Sequence, residues 1–175
     1  AGNGSLMRLA PVAVRHWHDR KVLVDVAARQ SATTHGAPEA VSACVAYAEA
    51  LADAISGQPR SAVLSDRQGG YAGAIAAIMA GSWRDKRRDE IHSTGYVVHA
   101  LEAALWSVGR TTSFEEAVLL AANLGDDADS TAAIAGQLAG ALYGAAAIPA
   151  RWREKLAWGN KIANAAVALF EAGRQ

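Results

Sequence analysis

Apolar residues recur along this chain with the period of an α-helix. Val41, Cys44, Val45, Ala48, Leu51, Ala52 and Ile55 follow the i, i+3, i+4, i+7 spacing that gathers side chains on one helical face. Pro38 stands in the first turn of that segment, where a missing N–H costs nothing, and Gly57 can end it. Ser113 and Glu116 form a capping box ahead of the apolar run 117–122. The same period predicts helices over 6–16, 21–30, 71–80, 96–108, 130–146 and 151–170, the last with a break near Gly159. No segment alternates with period two for long enough to argue a strand. The expected fold class is all-α, a compact multi-helix bundle forming a single domain over residues 1–175.

Composition agrees with a packed domain. Hydrophobic residues make up 51% of the chain, enough to build a core at this length, and there are only four prolines. Formal net charge is zero, so no global field draws the chain to nucleic acid or to an acidic membrane. The dense charge cluster R-D-K-R-R-D-E at 84–90 mixes signs and reads as a solvated loop. The uncharged stretch 132–148 contains Gln137 and several small residues, which favours a buried helix over a membrane span. Cys44 is the single cysteine, on the apolar face of a predicted helix. That excludes an intrachain disulfide and makes a reducing cytoplasm the expected location. The chain opens at A-G-N-G-S with neither an initiator methionine nor a signal peptide, as a fragment or processed product would.

Chemistry concentrates at 123–136, N-L-G-D-D-A-D-S-T-A-A-I-A-G. Asp126, Asp127, Asp129, Ser130 and Thr131 crowd three carboxylates and two hydroxyls ahead of an apolar helix. Unpaired, such carboxylates repel one another and resist burial. A hard cation such as Mg²⁺, Mn²⁺ or Ca²⁺ relieves this, since oxygen donors are the ligands it prefers. The same residues also suit a helix N-terminus, where side-chain oxygens satisfy free N–H groups, so a plain cap competes with a metal site. Gly136, Gly140 and Gly144 recur every four residues on the following helix. Each costs about 1 kcal/mol in a helix interior, which suggests close approach of a neighbour, a central helix and a buried acidic end opening onto a cleft.

Three other polar segments precede helical runs. Gly2, Asn3, Gly4 and Ser5 could offer N–H groups to a phosphate, or simply cap the helix that follows. Thr34 and His35 stand before the Pro38 helix, where His35 could bind a phosphate or ribose oxygen or be an ordinary loop histidine. Gly95 and Tyr96 open a third helix; Tyr96 could stack on a flat ring or pack in the core. The other histidines have no zinc spacing, and His16 and His18 read as surface residues. If the helix N-termini share one end of the bundle, they would suit a ligand carrying phosphates, hydroxyls and a ring, bridged to a metal.

Four segments together resemble the ADP-ribosylglycohydrolase family, all-helical enzymes that remove ADP-ribose from modified proteins. N-G-S-L-M-R-L-A-P at 3–11 is similar to the family's phosphate-holding N-G-S/A-x-M-R-x-x-P segment. Thr34-His35 with P-E-A at 38–40 resembles its T-H-x-x-P-E-A segment. S-T-G-Y-V-V at 93–98 with L-E-A-A-L-W at 101–106 resembles its S-x-G-Y-V stretch, and 123–136 its metal motif. The resemblance implies hydrolysis of ADP-ribosyl glycosidic linkages at a two-metal Mg²⁺ or Mn²⁺ site. Asp127, Asp129 and Ser130 would be metal ligands, and Asp127 would hold the attacking water. Asn3, Gly4, Ser5, Thr34, His35, Gly95 and Tyr96 would face ADP-ribose or an ADP-ribosylated protein. Ser130 stands where threonine is usual, and Asp126 replaces a more frequent glycine.

The chain departs from the family at its start. Nothing resembles the early G-D-x-x-G stretch or the S/T-D-D-T motif that completes the metal cage. The resemblance therefore implies the C-terminal portion of the fold and half of its metal ligands, with the N-terminal segment, in the form of a separate chain, as a candidate partner. An inactive ADP-ribose-binding or structural homologue is the competing expectation. A third reading takes D-A-D-S-T at 127–131 as a haloacid-dehalogenase-type nucleophile loop, which requires a parallel sheet.

Overall fold

Among residues 1–174, which this computed structural model describes, the chain forms eleven α-helices and no strand. In order they are α1 (Gly4–Met7), α2 (Ala10–His16), α3 (Arg20–Ala32), α4 (Pro38–Ile55), α5 (Arg60–Val63) and α6 (Ala74–Met79). Then follow α7 (Val97–Gly109), α8 (Phe114–Ala122), α9 (Ala128–Tyr143), α10 (Ala150–Arg153) and α11 (Gly159–Gly173). The absence of a sheet among these residues removes the dehalogenase-type alternative, whose aspartates must sit at a strand end.

Where the helices depart from the periodic pattern, backbone chemistry accounts for it. The run 6–16 is two helices, because Pro11 sits in the first turn of α2 and cannot supply an N–H to continue α1. Gly73, with φ +54°, delays α6 to Ala74. Gly144, with φ +80°, terminates α9, which starts earlier than its pattern, at Ala128. The 151–170 run splits where Trp158 adopts left-handed backbone ahead of α11. The 84–90 cluster is mostly exposed, as a solvated loop would be, and contains a 3₁₀ turn, Arg88–Glu90, with two of its side chains tied to the fold. Lys86 Nζ donates to Glu102 Oε1 at 2.7 Å, and Arg88 donates to Leu124 O at 2.7 Å.

The core is built by α4, α7 and α9, with α3 and α8 packed against them. Tyr47 and Leu51 of α4, Leu101 and Val108 of α7, and Ile134 and Leu138 of α9 are buried. Each such side chain contributes roughly 1.5–3 kcal/mol through removal from water. Tyr47 satisfies its buried hydroxyl by donating to Ile134 O at 2.6 Å, which ties α4 to α9. Alanine carries much of α4, so neighbouring helices meet with few long side chains between them. Close approach at the glycine stripe is less demanding than its spacing suggests. A methyl on Gly136 or Gly140 would meet α8 at ordinary van der Waals distance, and Gly144 lies outside the packed face. At the C-terminal end, α11 joins α2 through Trp17 stacked on Phe170, centroids 5.5 Å apart. Among the described residues, no helix is long and apolar enough to cross a membrane.

Candidate functional site

The acidic turn hangs from the segment that leads into α7. Asp127 N donates to Ser93 O at 3.0 Å, and Ser93 Oγ donates to Gly125 O at 2.8 Å. Gly125 and Asp126 have φ values of +89° and +50°, a left-handed pair that reverses the chain just before α9. Glycine adopts this freely and aspartate is among the residues that tolerate it. The chain start lies on the other side of the same segment. Asn3 N donates to Gly95 O at 3.0 Å, Val97 N donates to Ala1 O at 2.9 Å, and Gly2 pairs with Tyr96 in an isolated antiparallel bridge.

One side-chain bond closes this junction. Asn3 Nδ2 donates to Asp127 Oδ2 at 2.7 Å, across 124 positions of sequence. The bond holds the Asp127 carboxyl below the usual carboxylate range. Asp127 occupies the N-cap position of α9 yet makes no side-chain cap bond, so its carboxylate is engaged by Asn3 and not by the backbone N–H groups of the helix. Asp129 Oδ1 accepts from Ser130 N at 2.8 Å, and Ser130 Oγ lies 3.7 Å from Met7 Sδ. The turn is at the surface and not at a buried helix end: Asp126 and Asp129 are exposed and Asp127 is partly so. Solvent relieves their mutual repulsion there.

The remaining candidates gather around Asn3. The His35 ring lies against the backbone of Gly2 and Gly4; a Cβ on Gly4 would stand 2.8 Å from His35 Cε1, so glycine is required for this approach. His35 Nδ1 is 2.7 Å from Thr34 Oγ1, which also accepts from Arg8 at 2.7 Å. Tyr96 is half-buried, and its hydroxyl donates to Glu39 Oε2 at 2.5 Å. Its ring lies edge-on to His99, centroids 5.2 Å apart. Gly95 is exposed; a Cβ there would come within 3.6 Å of Asp127 Oδ2. Ser5 turns its side chain inward, so any part it takes in holding a ligand falls to its backbone N–H. It is fully buried, its hydroxyl 2.9 Å from Ser31 Oγ and 3.4 Å from Cys44 Sγ, because α1 turns this face onto α3 and α4.

Asp127, Asp129 and Ser130 offer hard oxygen donors within one helical turn, a donor set of the type that Mg²⁺ and Mn²⁺ take. In number they fall short. Among the described residues, no three acidic, histidine or cysteine side chains gather closely enough to enclose an ion.

The sequence profile of the ADP-ribosylglycohydrolase family matches residues 1–175. The chain belongs to the ADP-ribosylglycohydrolase family. It is 46% identical over its whole length to the ADP-ribosylarginine hydrolase Tri1 of Pseudomonas putida, covering 47% of that protein. It is 43% identical to the ADP-ribosylarginine hydrolase Tri1 of Serratia proteamaculans, over 97% of this chain and 46% of that one. The ADP-ribosyl-[dinitrogen reductase] glycohydrolase of Rhodospirillum rubrum is 30% identical over 89% of this chain and 51% of its own length. A solved structure described as an ADP-ribosylglycohydrolase-related protein complex superposes with a TM-score of 0.91 at 39% identity, over 99% of this chain and 61% of that one. The chain thus spans about half the length of the curated glycohydrolases it matches.

Within this family frame, four residues shape the site without advertising themselves in the sequence. Ser93 suspends the acidic turn, Glu39 holds the Tyr96 hydroxyl, and Arg8 braces Thr34. Gln137 Nε2 donates to Leu6 O at 3.0 Å and Met7 O at 3.1 Å, fixing α1 to α9. Ser93, Glu39 and Arg8 all lie inside the family-like segments, which is the one signal that could have singled them out.

Proposed function

We propose that this chain is the cation- and ADP-ribose-holding portion of a hydrolase that releases ADP-ribose from arginine side chains. The observation that carries the proposal is the junction of Asn3, Gly95 and Asp127, which fastens the phosphate-type segment directly to the acidic turn. The arginine linkage is favoured because two relatives, 46% and 43% identical over nearly the whole chain, are both named ADP-ribosylarginine hydrolases.

In this reading Asp127, Asp129 and Ser130 hold Mg²⁺ or Mn²⁺, and the remaining ligands come from a segment that this chain lacks, in the same protein or as a separate chain. When bound, such a cation supplies Lewis acidity and orients water and ribose hydroxyls. The chain's own residues do the positioning. Asn3 fixes the Asp127 carboxylate and keeps it ionised. Gly2, Gly4 and Gly95 leave room for a phosphate or ribose to approach the backbone. Thr34 and His35, braced by Arg8, offer donors beside them, and the Tyr96 ring is available to the flat part of the ligand. Negative charge at the turn favours the oxocarbenium character that develops as the glycosidic bond breaks. A cytoplasmic location accompanies the proposal, resting on the single buried thiol of Cys44.

The binding-only alternative is favoured by one observation, the short donor set at the turn. The two are separated by assaying ADP-ribose release from an arginine-ADP-ribosylated protein, using the chain co-expressed with the N-terminal portion of the Pseudomonas relative. The hydrolase reading predicts release in Mg²⁺ or Mn²⁺, its loss in EDTA, and its loss in Asp129→Ala. Equal release in EDTA would overturn the cation assignment. Cation-dependent ADP-ribose binding with no release would establish the binding-only role.

A further inference from the structure

We propose that the C-terminal end of α7 carries a second ligand site, for a phosphate-class oxyanion, built by Arg60, Arg84 and Arg110. These guanidinium groups line one cavity of about 540 Å³, together with Ser61 and Trp83. That volume lies within the range of small-molecule pockets. The cavity lies at the opposite end of α7 from Tyr96; the helix has 13 residues, so the two sites are roughly 20 Å apart.

The charge balance singles out this cavity. Arg84 pairs with Asp66, but among the described residues no carboxylate pairs with Arg60 or Arg110. Backbone carbonyls fix both side chains and leave their charge in place. One terminal nitrogen of Arg60 donates to Val108 O at 2.8 Å and to Gly109 O and Thr111 O at 2.9 Å. One terminal nitrogen of Arg110 donates to Lys86 O at 2.7 Å. The carbonyl end of α7 carries about half a negative charge, which offsets only part of two cations. The hydrogen bonds engage only Nη2 of each guanidinium, and among the described residues the Nη1 groups of Arg60 and Arg110 donate to no protein acceptor, so donors remain for a ligand.

Forked N–H donors held in fixed positions match the oxygens of a phosphate, which they bind bidentately. The cavity selects for charge and not for a ring. The Trp83 indole is covered by the Arg84 guanidinium, 4.9 Å from its centroid, and by Gly109.

Calorimetric titration of inorganic phosphate into the 175-residue chain tests the site. The expected result is saturable one-to-one binding that Arg110→Gln weakens by about tenfold or more. Ser61→Asp, which adds a carboxylate at an exposed lining position, is expected to abolish it without unfolding the chain. Arg8→Gln, beside the acidic-turn site, leaves it unchanged. No saturable binding at concentrations on the order of 10 mM would overturn the proposal. Binding that Arg8→Gln removes and Ser61→Asp spares would also overturn it, by assigning the phosphate to the other end of α7.

Discussion

Asn3→Ala removes the bond that ties the chain start to the head of α9. Asn3 is 7% exposed, and its Nδ2 lies 2.7 Å from Asp127 Oδ2. A hydrogen bond to a charged group contributes roughly 1.5–3 kcal/mol. Asp127 is partly open to water, and screening lowers the figure to about 1–2 kcal/mol. For a domain of this size that is a fall of roughly 2–8 °C in melting temperature. The backbone bonds of Asn3, from its N–H to Gly95 and from Leu6 and Met7 to its carbonyl, survive the substitution, so the loss reports the side chain. The bond depresses the Asp127 pKa in the folded state. Its contribution is therefore present above the ordinary carboxylate range and disappears as pH falls through the lowered value. Urea denaturation followed by circular dichroism should place Asn3→Ala below the wild type at neutral pH and bring the two together in acid. A double-mutant cycle with Asp127→Ala should give a coupling of about 1–2 kcal/mol. A gap below about 0.3 kcal/mol, or one that persists unchanged into acid, would refute the reasoning.

Three further outcomes follow from the packing and the pH linkage. Gly109→Ala would place a methyl 2.3 Å from Trp83 Cζ3, forcing a buried indole to move. Overpacking costs about 1–3 kcal/mol against at most about 1 kcal/mol of helix propensity, so thermal melting should show a net loss with altered near-UV dichroism. Tyr47→Phe removes the hydroxyl that joins α4 to α9 and should cost about 1–2 kcal/mol in chemical denaturation; an unchanged midpoint would count against that link. Burial, with Glu49 beside it, pushes the Tyr71 hydroxyl up to about 12. The folded value is raised, so this stabilisation is complete below the ordinary tyrosine pKa of about 10 and is lost as pH rises through about 12. Alkaline stability curves should fall more steeply for the wild type than for Tyr71→Phe over that window.

Local pattern made most of the helical architecture legible. The apolar stripe from Val41 to Ile55 marks α4, and the expected 96–108 segment differs from α7 by one residue at each end. Boundaries failed where a single backbone residue overrides periodicity, as at Pro11, Gly73 and Gly144. The glycine stripe misled because spacing cannot report what lies opposite; Gly136 and Gly140 have room for a methyl. The family-like segments located the candidate site, but not its wiring. The bond from Asn3 to Asp127 and the suspension of the acidic turn from Ser93 are long-range contacts that no local period encodes. Ser5 has the same cause, since its helix face is chosen by how α1 packs on α3 and α4.

The central claim is that one junction holds both ADP-ribose and the cation, and direct binding tests it most simply. ADP-ribose is titrated calorimetrically into the chain with and without Mn²⁺, for the wild type, Asp127→Ala and Asp129→Ala. Mn²⁺ is expected to strengthen binding in the wild type, and neither variant is expected to retain that cation dependence. Binding that ignores Mn²⁺, or that both variants keep undiminished, would contradict the central claim.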